Sequence, residues 1–420
     1  MGKGGDSQTQ KKSSTAGDAV AKEPVEVLIN GTLYDVTNMK HPGGSVINFY
    51  AGKGIDATQA FDHFHIRSKK AVKYLKSLPS RQPTKKVNSS ALLQDFDALT
   101  KELEEEGFFK PSYLHITYRI TELILMHALG VYMLFNGYYY SGAAMLGLAS
   151  GRCGWLMHEG GHYSLTSNIA IDRFLQIVIY GVGCGMSGGW WRNQHNKHHS
   201  MPQKLGHDVD LQTLPLIAFT EKVAKRVGVT QKIWIRMQAF MFPLLTCFLV
   251  ASGWQFYLHP RYMIRTKKWG ELLTLVIRYT LFYKIFAPLF GVAGVFKLYF
   301  WYNTFAADYI FTNFAVSHTH LPTVPKDDTE VDWVQYAAIH TMNCEPGPFN
   351  FINWWMSYLN FQIEHHLFPS MPQYNHPVVS ERVRKLFAKH GVKYDQRSYV
   401  ESLRVTFKNL HKVGADVFYG

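Results

Sequence analysis

The sequence predicts a mainly α-helical integral membrane protein. It should have four transmembrane helices, interfacial helices and a histidine-rich cytosolic cap, with a small α+β domain at its N-terminus. Three observations predict this. Apolar stretches long enough to cross a bilayer recur after residue 113. Three dense histidine clusters, drawn from 20 histidines in all, stand beside those stretches. Before residue 81 the chain instead alternates short apolar runs with turn signals, as a small soluble domain does. A mean hydropathy of -0.12 over 420 residues also fits a membrane protein with large polar parts.

Residues 1–23 are polar and lack the apolar core of a signal peptide, so a disordered arm is expected. Residues 24–80 form the first unit. Two short alternating runs flank Asn30-Gly31, a strong hairpin signal. His41-Pro42-Gly43-Gly44 follows, then the run from Ile55 to His65. Residues 81–112 read as a polar linker and a charged amphipathic helix over 92–106, which Phe108 and Phe109 end near a membrane. Residues 113–420 make the membrane domain.

Stretches 118–138 and 142–157 form a helical hairpin whose turn, Asn136-Gly137, sits beside three interfacial tyrosines. His158 therefore emerges on the side of the N-terminal unit. Later candidates are 233–258, 271–290 and 295–316. If all three crossed, the histidines after residue 316 would lie opposite those before residue 233, and one metal site needs both groups on one face. Stretch 233–258 is the weakest, because Arg236, Gln238, Pro243 and Gln255 leave only 13 uninterrupted apolar residues. It reads as interfacial or re-entrant, as does 169–186. Both termini are then cytosolic.

The net charge of +13 suits either nucleic acid or an anionic membrane surface. The basic residues flank apolar segments, so no nucleic-acid partner is expected. Four cysteines without a CxxC pair give neither a thiolate metal site nor a disulfide framework. Any metal must be held by imidazole.

His41 and His65 lie 24 residues apart. A bis-histidine haem b needs one imidazole from each wall of a pocket, with small residues such as Gly43 and Gly44 where the backbone nears the ring. Alone, His-Pro-Gly-Gly is equally a turn. With the hairpin and the downstream histidine, residues 24–80 resemble cytochrome b5. His63 competes with His65, but the Phe61-x-x-Phe64 frame that precedes His65 matches fused b5 domains.

The three clusters are His158-Glu-Gly-Gly-His162, His195-Asn-Lys-His198-His199 and Gln362-Ile-Glu-His365-His366. Spacings of three and four set these side chains on one helix face, so each helix can aim two or three imidazoles at one point. Seven histidines exceed the four ligands of a structural zinc. They suit two octahedral, redox-active metals, with iron the natural choice for O2 chemistry. His318, after the last apolar stretch, is an eighth candidate. His115, His127 and His259 read as satisfied core or interfacial residues. Glu159, Asp208, Asp210 and Glu364 are either solvated charges or carboxylates that orient imidazoles. Trp354-Trp355-Met356 is either a substrate-tunnel wall or ordinary membrane packing.

HxxxH, HxxHH and QxxHH, together with the b5-like unit, resemble the front-end membrane fatty-acid desaturases over nearly the whole chain after residue 24. The resemblance implies two iron ions held by His158, His162, His195, His198, His199, His318, His365 and His366. Gln362, Asn313 and His340 are further possible ligands. It also implies an O2-dependent oxidoreductase in the endoplasmic reticulum membrane, fed by an NADH-cytochrome b5 reductase and acting on a polyunsaturated acyl-CoA or acyl-lipid. Stretches such as WWRNQHNKHH and NFAVSHTHLP look most like enzymes with Δ5 or Δ6 selectivity; Δ5 is favoured, with Δ6, Δ4 or Δ8 as alternatives. Rival readings are a hydroxylase, a membrane-anchored b5 electron carrier without desaturase activity, and a zinc-dependent membrane hydrolase or receptor.

Overall fold

The computed structural model describes residues 23–84, 89–224, 227–326, 328 and 332–420. The expected N-terminal arm thus lies outside the described residues, except for Glu23.

The N-terminal unit is built on a hairpin of β1 (Glu26–Ile29) and β2 (Thr32–Asp35), paired antiparallel from Glu26↔Asp35 to Ile29↔Thr32. Asn30 (φ 49) and Gly31 (φ 68) are both left-handed, the two-residue turn whose twist matches its strands. Ser80–Arg81 form β3 on Leu33 and Tyr34, and the Arg81 guanidinium grips the Glu26 carboxylate at 2.6 Å. The start of the expected polar linker therefore belongs to the sheet. Two polar residues carry no periodicity by which a strand could be read. Helices α1 (Thr58–His65) and α2 (Lys69–Leu75) complete the unit.

Helix α3 (Ala91–Glu105) starts at Ser90, whose hydroxyl accepts from the Leu93 N–H. Its buried Leu92, Phe96, Leu99 and Leu103 form one stripe. That stripe joins the N-terminal unit to the C-terminal cap in one apolar core: Phe96 stacks on Phe368 at 5.3 Å. Phe109, expected near the membrane, is instead buried in this core against Phe368.

The membrane part begins with α4 (Tyr113–Phe135) and α5 (Tyr139–Gly161), joined at Gly137 with φ 83. Helix α4 exposes Leu114, Ile124, Leu125 and Tyr132, as a lipid-facing span should. Helices α6 (Ile169–Cys184) and α7 (Gly188–Ser200) meet at a bend of 105°. After α8 (Glu221–Ala224) come α9 (Val229–Phe248), a π-helical stretch Leu249–Leu258 and α10 (His259–Arg265). The last three run without a break over 37 residues, apolar enough to cross a membrane. The helix passes through Pro243, and the run is longer than the 13 apolar residues read from the sequence. It packs on the helix that follows it in the chain: Thr304 Oγ1 donates to Cys247 Sγ at 3.2 Å, and Gln255 meets Asn303 at 3.3 Å and the Tyr299 hydroxyl at 2.8 Å.

Helix α11 (Trp269–Ala315) has 47 residues, roughly 70 Å if straight and more than twice a hydrocarbon core. It is a hairpin. Gly291 leaves helical geometry (φ 65, ψ 175), and the arms pack antiparallel, with Arg278 Nη2 donating to Tyr302 OH at 2.5 Å and Phe282 beside Tyr299 at 5.3 Å. Helices α4 and α5 and each arm of α11 are long enough to cross a hydrocarbon core, as is the run from α9 to α10. The cap is completed by α12 (Trp333–His340), α13 (Phe351–Trp355), α14 (Gln362–Leu367), α15 (His376–Lys389) and α16 (Tyr399–Tyr419). A short parallel pairing of β4 (Asn343–Cys344) with β5 (Gln396–Arg397) ties it together.

Candidate metal centre

Four elements aim imidazoles at one place: the end of α5, the end of α7, the segment after α11, and α14. Helical spacing does the local work. His158 and His162 share a face, as do His195, His198 and His199, while Ser187 caps α7 by accepting from the Trp190 N–H. The eight predicted histidines converge in two adjoining groups. His158, His162, His195, His199 and His365 present nitrogens within 4.8 Å of one another, and so do His198, His318 and His366. The groups touch where His199 stacks on His366 at 4.1 Å.

The arrangement fits two cations. His365 and His366 are buried, and neither has a hydrogen-bond partner on either ring nitrogen. His195 Nε2 and His199 Nε2 lie 2.9 Å apart, so both rings aim a nitrogen at the same small space. Burial first, then neighbouring imidazoles, pushes the His365 and His366 rings well below the usual range; burial with His198 puts His318 at about 3. Metal ligands must be neutral in this way.

Polar neighbours fix the rings. His198 Nδ1 lies 3.0 Å from Asp208 Oδ2 and 3.2 Å from Asp210 Oδ2. Burial alone would raise the Asp208 carboxyl, but His198 and the backbone N–H groups of Asp210 and Gln203 hold it below the usual range. The Gln373 amide meets His158 Nδ1 at 2.8 Å, and its backbone N–H donates to Glu159. His318 Nδ1 faces the His340 carbonyl, and Gln362 Oε1 lies 3.2 Å from His318 Nε2. Gln362 is thus beside the second group.

Other candidates fall elsewhere. Asn313 donates to the Tyr309 carbonyl and accepts from Tyr399 OH, and the His340 ring turns to the Pro322 carbonyl. Among the described residues, His340 joins no cluster of His, Cys, Asp or Glu that could hold a metal. Glu364 accepts from Asn343 and Tyr394, touches no imidazole, and is pushed up to about 7 by burial. Trp354 packs under Arg152 at 4.4 Å and donates to Glu122, which makes it a bundle contact. Sequence reasoning missed two neighbours. Gln373 gave no signal, and His376, buried 6.0 Å from His365 with both nitrogens unpartnered, is a lone histidine with no helical companion.

On the N-terminal unit, His41 and His65 face each other across a cavity of about 870 Å³, ring centroids 6.0 Å apart. That leaves room for one metal bonded to both rings at roughly 2 Å per bond. His65 Nδ1–H donates to the Phe61 carbonyl at 2.9 Å, which frees Nε2 for the cavity. A Cβ on Gly43 would come within 2.8 Å of the His41 ring, so only glycine leaves the ring its place. His63 points the other way, stacked on Trp333 at 5.8 Å.

A membrane bundle capped by two adjoining imidazole groups, with a bis-histidine cavity at its side, defines a class: membrane oxidoreductases with a dinuclear centre served by their own haem domain. Comparisons narrow it. The fatty acid desaturase family profile matches residues 137–398, and the cytochrome b5-like haem/steroid binding domain profile matches residues 11–81. An "Acyl-lipid (8-3)-desaturase" of Rebecca salina is 54% identical, covering 92% of this chain and 91% of that protein. Another of the same name from Thraustochytrium sp is 44% identical over 99% and 98%. The "Fatty acid desaturase 2-like protein FADS2B" of Mus musculus is 28% identical over 92% and 81%. The chain belongs to the fatty acid desaturase family, in its cytochrome b5-fused front-end branch, and is an oxidoreductase with a haem-binding domain and a histidine cluster that fits two irons.

Proposed function

We propose that the chain inserts a cis double bond at Δ5 into a polyunsaturated acyl chain carried on a lipid. The observation that carries the chemistry is the pair of adjoining imidazole groups beside a bis-histidine cavity in one chain. The names of the relatives from Rebecca salina and Thraustochytrium sp support the position: a bond three carbons nearer the carboxyl end than carbon 8 falls at carbon 5. His158, His162, His195, His199 and His365 would hold one iron. His198, His318 and His366, with Gln362 beside them, would hold the other. His41 and His65 would hold the haem between them. Residues 24–80 serve as the electron-donor domain and 113–420 as the desaturase domain. An NADH-cytochrome b5 reductase supplies electrons, and the protein resides in the endoplasmic reticulum membrane with both termini cytosolic.

When bound, the irons supply the oxidising power that an unactivated methylene C–H demands, and O2 leaves as two waters after taking two electrons, two protons and two substrate hydrogens. The chain's own residues do the rest. The eight imidazoles hold the metals neutral-ligand fashion, and Asp208 and Gln373 orient His198 and His158. Burial of α14 among α5, α7 and α12 keeps bulk water from the centre. The acyl chain must enter from the membrane side and be fixed against this cluster.

The test is fatty-acid profiling of yeast expressing the chain and fed 18- and 20-carbon polyenes. A new Δ5 product should appear, and His195→Ala should abolish it, a loss beyond 100-fold. A product at another carbon overturns the position; a product surviving in His195→Ala overturns the ligand assignment.

A further inference from the structure

The cavity between His41 and His65 is not closed by the haem domain alone. Its far wall is desaturase: Arg173 on α6, Arg192, Asn193 and Asn196 on α7, and Lys268 before α11. Helix α7 is therefore a shared partition. Gly189, Arg192, Asn193 and Asn196 lie on the face toward this cavity, while His195, His198 and His199 project from another face into the metal centre.

The charge of the lining is one-sided. Arg67 and Lys70 come from the haem domain and Arg173, Arg192 and Lys268 from the desaturase domain, and the lining includes no Asp or Glu. Among the described residues, none of these five cations pairs with a carboxylate within 4.0 Å. Arg173 donates to the neutral Tyr163 OH at 3.0 Å, and Arg192 to the neutral Gln176 amide. The rest of the lining is largely apolar, including Val27, Ile47, Phe61 and Phe64. An apolar slot between two imidazoles, rimmed by cations that no carboxylate pairs with directly, matches a flat apolar ring with carboxylates along one edge.

We propose that the haem is bound jointly by the two domains, its propionate carboxylates pairing with Arg173, Arg192 and Lys268. The proposal rests on the haem reading above and adds that the desaturase domain sets the affinity and potential of a cofactor conventionally credited to the b5 domain. Cations at the propionates stabilise the ferrous state, which carries one positive charge fewer, so they raise the midpoint potential.

The test uses the full chain in detergent, comparing wild type, Arg173→Gln/Lys268→Gln and the charge-preserving Arg173→Lys. Haem transfer to excess apomyoglobin and the haem midpoint potential are the readouts. The double variant should lose haem about tenfold faster, the effect of removing charge-assisted hydrogen bonds, and its potential should move negative. Arg173→Lys should stay near wild type. Reconstitution with protohaem dimethyl ester, which has no free propionates, should erase the difference between wild type and double variant. Equal haem loss from both overturns the proposal. So does a difference that persists with the ester, which would point to another anion, such as a lipid phosphate, at these cations. A wild type without a bis-histidine haem spectrum would instead remove the haem reading beneath it.

Discussion

Asp208 accepts from His198 Nδ1 at 3.0 Å and from the Gln203 N–H at 2.7 Å, so one buried carboxylate locks both the ring and the loop that follows α7. With Nδ1 engaged, Nε2 is left for the group containing His318 and His366. Asp208→Asn keeps the size and loses the charge. We expect iron content and desaturation rate to fall about 10–100-fold, as for other ligand-orienting partners, with the melting temperature in detergent little changed; elemental analysis and product formation check this. At this scale the box histidines were legible because helical spacing leaves a signature in the sequence. Pairings made by tertiary contact were not. Gln373 reaches His158 across 215 positions, and nothing near either residue announces it. Asn313 is held by Tyr309 and Tyr399, and the His340 Nδ1 by the Pro322 carbonyl, contacts that nothing local in the sequence announces either.

Helix α5 shows how an element is shaped for its neighbour. A Cβ on Gly147 would lie 2.6 Å from Phe305 Cβ and 2.8 Å from the Tyr302 carbonyl, and one on Gly151 would collide with the Tyr309 ring. Glycines at these positions let the second arm of α11 approach closely, as small residues do between membrane helices. Gly151→Ala should therefore destabilise the bundle by about 1–3 kcal/mol, read as a lower melting temperature in detergent. The same glycines make α5 less apolar than an ordinary span, yet its place between two turn signals made it readable. The hairpin of α11 was legible from two apolar lengths separated by Gly291. The unbroken run from α9 to α10 was not, because whether Pro243 breaks a helix depends on what packs around it.

For the whole molecule, the decisive contact is the seam between haem domain, α3 and cap. The two domains could be read from the sequence; their docking could not, because no local pattern tells which face meets which. His63, Phe96, Trp333 and Phe368 fill the apolar part of the seam. Its acidic edge works against it. Burial, followed by Asp97, Glu104 and Asp56, pushes the Asp62 carboxyl up to about 6 from 3.8. The folded state then holds its proton more tightly than the unfolded state, so stability from Asp62 is fully present below pH 3.8 and is lost as pH rises to about 6. Asp62→Asn should stabilise the chain at pH 7.5 and flatten the change between pH 4 and 6, measured as melting temperature against pH.

The Gly291 turn has a consequence for how the protein meets its two compartments. Each arm of α11 runs roughly 33–36 Å at 1.5 Å per residue, and its tip touches the other helical tip, where Tyr139 packs on Phe290 at 5.4 Å. Histidine groups and haem cavity alike lie at the opposite ends of these helices. Under the proposed topology, the far side of the bilayer sees little more than two adjacent aromatic knuckles. A protease or impermeant label confined there should then find almost nothing to hold, while the same reagent on the near side should meet the entire electron-carrying apparatus.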